Sequence, residues 1–199
     1  MRKGKKVFYW TVALVLAFCI MAPGSALAQT AGLRIFVNLG DIKGESTDKD
    51  HKDWCDAFSY GDGISQGVNP AYRSYGAMTP DFAPITIIKQ IDAASPKLRE
   101  ASAKGTHLSE VTIEMYEGQF RFFVVKLKEV VVSSVQAVMP DLTSMPVLTA
   151  ASSPSVMVLQ EKVSFVFGAI EWTYTKQRPD GTSGGNVSAK WSLVRGAAN

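Results

Sequence analysis

The chain has 199 residues, and 46% of them are apolar, which fits one domain with a real hydrophobic core. The whole sequence carries 21 basic and 18 acidic residues. Four of the basic ones (Arg2, Lys3, Lys5, Lys6) lie in an N-terminal leader without acids, so the remainder holds 17 bases against 18 acids, a net of −1. So balanced a chain gives no general electrostatic case for nucleic-acid binding.

The leader is the first element. "MRKGKK" is a basic segment, residues 7–22 form an uncharged apolar run, and "PGSALA" ends in Ala26-Leu27-Ala28. This is the three-part layout of a secretory signal peptide, and it predicts cleavage between Ala28 and Gln29. The run falls short of the roughly 20 residues of a membrane span, so no stable span is expected after cleavage. Residues 29–199 are then a single exported domain, periplasmic or secreted. A start at Met21 would instead keep the chain cytoplasmic before secretion.

"LRIFVNL" places Leu33, Ile35, Val37 and Leu39 on one face. "APITIIKQI" does the same with Ile85, Ile87 and Ile91, and "VTIEMY" with Val111, Ile113 and Met115. Residues 120–135, "FRFFVVKLKEVVVSSV", contain no glycine or proline and are long for one strand, so a bend or a crossing between sheets is expected. In "KVSFVFGAIEWTYTK" the apolar phase changes at Gly168, which predicts a bulge at or near it. "RPDGTSGG" is a turn, and "NVSAKWSLV" is the last strand. One helix has clear punctuation, with Ser95 as cap, Pro96 in the first turn and Gly105 at the end. Residues 65–82 and 139–155 read as long loops. The fold class is mainly β: a β-barrel or two packed antiparallel sheets with one short flanking α-helix.

The charged stretch "DIKGESTDKDHKDWCDAFSYGDG" (41–63) invites a metal reading, which its spacing refuses. A calcium loop starting at Asp48 would need a ligand where Lys52 stands and glycine where Asp53 stands. A structural zinc site wants four ligands, and the domain offers Cys55, His51 and His107. "GISQG" (63–67) matches a nucleophile-elbow pattern around Ser65, with Asp92 and His107 following in order. Pro70 and the antiparallel β-pattern deny it the strand-to-helix context that chemistry needs. No cofactor and no enzymatic activity are expected. Cys55, alone after leader removal, reads as a buried free thiol.

Six blocks in order resemble the haemolysin-coregulated protein (Hcp) family of bacterial type VI secretion. They are "GDIKGESTDKDHKD" (40–53), Ser65-Gln66, "IIKQIDAASPKLREASAKGTH" (87–107), "VVKLKEVVVSSV" (124–135), "EKVSFVFGAIEWTY" (161–174) and "GNVSAKWSLV" (185–194). The resemblance implies a compact barrel with one helix on its flank. It also implies a homo-oligomer, six subunits in a ring, with rings stacked into a tube that carries effectors. Type VI spike, sheath and effector proteins are the implied partners. The loop bearing Lys43, Gly44, Glu45, Ser46, Asp48, Lys49, Asp50 and His51 would contact a neighbouring subunit. Three features depart from the family pattern: the leader, "YGDG" before Ile64, and the apolar segment 137–158. The leader supports an alternative, an exported Hcp-like barrel outside the machine that acts as a binding or adhesion module. N-terminal sequencing of the protein recovered from cells is expected to begin at Gln29; a cytoplasmic chain beginning at Met21 would overturn the export reading.

Overall fold

The computed structural model describes residues 32–67, 79–138 and 159–193. The leader, Ala28, Gln29 and most of the two long loops lie outside them. Ten strands and one helix follow in chain order: β1 (Leu33–Asn38), β2 (Cys55–Gly61), β3 (Ile64–Ser65), β4 (Asp81–Phe82), β5 (Ile85–Gln90), α1 (Ala94–Lys104), β6 (His107–Glu117), β7 (Phe120–Val138), β8 (Gln160–Val166), β9 (Ala169–Gln177) and β10 (Ser183–Ser192).

The main sheet runs β10-β9-β7-β6-β1-β2-β5-β8, and β8 pairs back onto β7. That pairing closes six strands into a barrel, with β9 and β10 extending from it as a hairpin wing. All the pairings are antiparallel. β3 and β4 form a separate short pair, Ile64 opposite Phe82 and Ser65 opposite Asp81. The alternation read from sequence supplies the core: Val37, Ile87, Val111, Ile113, Val125, Leu127, Val163 and Phe165 are wholly buried. Burying each such side chain contributes about 1.5–3 kcal/mol. Leu33 is an exception, exposed at the strand end.

β7 is 19 residues long and changes neighbour along its length. Phe123–Lys128 pair with β9, and Val131–Val138 with β8. The phase change falls at Gly168 as expected, but its cause differs from the expected bulge. Lys128 lies opposite Ala169 and Val131 opposite Val166, so two residues on each strand span the junction and the register does not slip. Both strands turn over together: Leu127, then Val130 and Val132, face the core on β7, with Ile170 opposite Leu127 and Phe165 opposite Val132. Glu129 makes this possible by adopting a left-handed φ of 51°, uncommon for a residue with a Cβ. Gly168 donates its N–H to the carbonyls of Lys128 (2.9 Å) and Glu129 (3.2 Å). The actual register shift between β7 and β8 lies between Val132 and Ser134.

The helix also differs in detail. It begins at Ala94, and Ser95 lies inside its first turn. The carboxylate of Asp92 accepts the Ala94 N–H at 2.9 Å, the task expected of Ser95. Ser95 instead donates to Glu161 Oε1 at 2.6 Å. Gly105 ends the helix in the left-handed conformation, φ 64°, as expected. Leu98 and Ala101 are buried, and α1 packs against β7.

Ser95 belongs to a buried ionic cluster that holds the helix to the barrel end. Lys89 takes the core-facing position two residues after Ile87, opposite Glu161 in β8, and both side chains are wholly buried. Lys89 Nζ reaches Glu161 Oε1 (3.0 Å), Asp92 Oδ1 (2.5 Å) and the Gln90 carbonyl (3.0 Å). Arg99 from α1 donates to Glu161 Oε2 at 2.7 Å. Two cations and two carboxylates balance, which is the condition for charges to be tolerated in the interior. Glu161→Gln is expected to cost about 3–5 kcal/mol, because it removes a partner from a buried lysine. Thermal denaturation checks this; an unchanged Tm would refute it.

Candidate subunit-contact site

The loop between β1 and β2 is an ordered structure folded onto the barrel wall. It opens with a turn at Gly40, φ 68°, whose N–H donates to the Asn38 side chain at 2.8 Å. It then doubles back in a short ladder: Gly44 N–H to Asp53 O (2.8 Å), Ser46 N–H to Trp54 O (2.9 Å) and Asp53 N–H to Ser46 O (3.2 Å). Gly44 is needed for contact, since a Cβ there would overlap the Trp54 carbonyl and lie 2.7 Å from Cys55 Sγ.

His51 anchors this loop. It is 4% exposed, and its ring stacks on Phe36 of β1 with centroids 4.1 Å apart and planes 2° from parallel. Trp54 and Tyr116 close it edge-on. Nδ1 lies 2.8 Å from Asp48 Oδ1, and Nε2 lies 3.1 Å from Glu114 Oε2. The Tyr116 hydroxyl donates to Glu114 Oε2 at 2.9 Å, and Arg121 donates to Glu114 Oε1 at 2.8 Å. Arg34 donates to Asp48 Oδ2 at 3.2 Å and to the Gly118 carbonyl at 2.8 Å. Phe36 and Glu114 face each other across β1 and β6 on the side away from the core, and the loop covers both.

The electrostatics follow. The hydrogen bond with His51, then that from the Asp50 N–H, holds the Asp48 carboxyl below its ordinary value. Desolvation pushes Glu114 upward, but hydrogen bonds from His51 and Tyr116 and the Arg121 charge outweigh it and leave the group lowered. Burial, then the Glu114 hydrogen bond, pushes the Tyr116 hydroxyl up to about 12. Cys55 is free and wholly buried, and burial raises its thiol.

The eight residues expected at a subunit contact therefore divide. Lys43, Glu45, Lys49 and Asp50 are exposed, with Lys43 3.6 Å from Asp53. Ser46 and His51 are buried and Gly44 and Asp48 are half-buried, so these four shape the loop from within. Ser46 donates to Asp56 Oδ1 at 3.0 Å. Sequence reasoning missed Glu114, Tyr116 and Arg34, whose only signal was polar character on the outward phase of their strands, and Arg121, which shares the sequence phase of Phe123 and Val125 and reaches Glu114 because the register shifts between Phe123 and Arg121. It also missed Lys89 and Glu161. Ser65, Asp92 and His107 are not brought into a catalytic arrangement: Ser65 pairs with Asp81, Asp92 is bound to Lys89, and His107 lies opposite Val131. No group of three or more metal-ligating side chains stands ready for an ion among the described residues.

The fold and site define a closed six-strand barrel with a helix at one end and a hairpin wing, whose charged clusters hold loops and helix in place. Residues 36–174 match the family described as "Type VI secretion system effector, Hcp". The chain is 29% identical over 165 residues to protein hcp1 of Pseudomonas aeruginosa, covering 80% of this chain and 94% of that protein. It superposes on a solved type six secretion system protein with a TM-score of 0.71 at 24% identity, covering 84% of this chain and 100% of that one. For Hcp1 from Salmonella typhimurium the TM-score is 0.65 at 19% identity, covering 84% and 99%. The chain belongs to the Hcp family, whose members form hexameric rings stacked into the type VI secretion tube.

Glu114 carries a pH dependence of definite sign. Its folded value is lowered, so the stability it contributes is present above the ordinary 4.5 and is lost as pH falls through the folded value. Glu114→Gln is expected to lower Tm at neutral pH and to flatten the acid limb of the Tm–pH curve. An acid limb identical to the wild type would refute this.

Proposed function

We propose that this chain is a ring-forming subunit of a type VI secretion tube, six copies to a ring, with spike, sheath and effector proteins as its partners. The family match across residues 36–174 on a six-strand barrel carries the reading. The exposed charges of the β1–β2 loop, Lys43, Glu45, Lys49 and Asp50, meet a neighbouring subunit, while Gly44, Ser46, Asp48 and His51 hold the loop's shape. Mixed charge of this kind sets register between partners more than it adds affinity. As a tube component the chain is secreted by the type VI machine.

A second reading rests on the leader, residues 1–28. An exported subunit leaves the cytoplasm before tubes are loaded there, and it would act as a binding or adhesion module in the periplasm or outside. Negative-stain imaging separates the two. Residues 29–199 are expected to form six-fold rings, and reversing Lys49 and Asp50 together is expected to weaken ring contacts or stacking without lowering Tm. A monomer at micromolar concentration would sink the tube reading and favour the second.

A further inference from the structure

The three contacts that His51 and Tyr116 make with a carboxylate have one proton each only when the ring is doubly protonated. Asp48 Oδ1 and Glu114 Oε2 face the two ring nitrogens at 2.8 and 3.1 Å, and ionised carboxylates only accept hydrogen bonds. Tyr116 has one hydroxyl proton. It stands 2.9 Å from Glu114 Oε2 and 3.2 Å from His51 Nε2. With both ring nitrogens protonated, each carboxylate receives a ring proton and Tyr116 donates to Glu114. With one ring proton gone, two protons remain for three contacts. Either Asp48 loses its donor, or the Nε2 lone pair faces Glu114 unless Tyr116 turns away from the carboxylate to satisfy it.

We infer that His51 is a protonation latch: loop 40–54 is seated on the barrel wall while both ring nitrogens carry protons, and it loosens when one proton passes to solvent.

The placement of the groups makes the loop the part that responds. Glu114 and Tyr116 belong to β6, in the closed barrel, and Arg121 of β7 keeps its bond to Glu114 Oε1 whatever His51 does. Asp48 and His51 belong to the loop. Besides the ring, Asp48 is held by Arg34 at 3.2 Å and by the Asp50 N–H at 3.0 Å. The loop's other ties across to the wall are the Ser46 hydrogen bond to Asp56 of β2 at 3.0 Å, the Phe36 stack and the Tyr116 edge. Losing the bridge therefore removes the charged link between Glu114 and the loop and leaves the barrel itself intact. The same loop carries the exposed charges proposed for subunit contact, but the latch is a property of one copy and does not depend on ring formation.

Amide hydrogen exchange on the purified chain tests this, with rates corrected for the intrinsic effect of pH and His51 followed by its ring-proton NMR signal. As pH rises and the ring-proton signal shows His51 losing a proton, protection at the Gly44, Ser46 and Asp53 amides is expected to fall by about 10-fold, the scale of one hydrogen bond to a charged group. Protection at Ile113 and Val125 should stay constant. His51→Phe keeps a ring on Phe36 and should show low loop protection without pH dependence. Glu114→Gln should also flatten the dependence, and His107→Gln, at an exposed position, should not change it. Loop protection that stays constant while His51 titrates would overturn the latch. So would a pH dependence of loop protection that does not follow the His51 signal, or one that persists in His51→Phe.

Discussion

Closure of the barrel depends on one strand that has to face two ways. β7 gives its first part to the wing and its second to β8, and the β8 pairing is what brings the end of the sheet back onto β7. A straight strand of this length would carry its core-facing side chains out of the barrel, since alternation continues regardless of where the wall curves. The turn-over at Glu129 and Gly168 resolves this. Because it occurs on both strands at matched positions, the ladder keeps its register and the core keeps Leu127, Val130, Phe165 and Ile170. The helix, the ionic cluster and the loop all rest on a wall that this junction allows to close.

Polar groups then fasten what the apolar core leaves free. Lys89, Asp92, Arg99 and Glu161 tie α1 to the barrel end, and Asp48, His51, Glu114 and Arg121 tie the β1–β2 loop to its side. Both clusters pair residues far apart in sequence, and both satisfy nearly every donor and acceptor they bury. Among the described residues the Tyr60 hydroxyl is the one buried side-chain polar atom without a hydrogen-bond partner. Apolar contact is non-directional, whereas a buried ion pair tolerates one geometry only. The orientation of the helix and the shape of the loop are set by that directionality.

Much of the architecture is legible in the amino-acid order. Ile85, Ile87, Val111, Ile113 and Val125 alternate because a wall with one face on a core requires it, and Gly105 closes a helix because few other residues adopt its φ without strain. The helix start is not legible in the same way. Ser95 next to Pro96 satisfies the local rule for a cap, while its hydroxyl is taken by Glu161, 66 residues away. Gly168 announces the point of reversal. Its partner Glu129 does not, because nothing in glutamate signals a left-handed φ. The charged loop invites comparison with metal sites; its interleaved lysines argue against that, yet the role of His51 cannot be read from the loop alone.

The sequence by itself determined the class of fold, the order of its elements, the likeness to Hcp proteins and the loop as the place where charge gathers. These follow from local periodicity, turn chemistry and ordered blocks of residues, which short windows of chain contain. Only the tertiary structure decided which charges face outward and which hold the molecule together. Lys89 and Lys49 look alike in sequence, but one lies wholly buried against Glu161 and the other is exposed on the loop. His51 finds Asp48 within its own loop but acquires Glu114 only when β6 is laid beside β1. The physical reason is that burial and ion pairing depend on distance in space, and antiparallel pairing sets that distance between residues that no local window contains together.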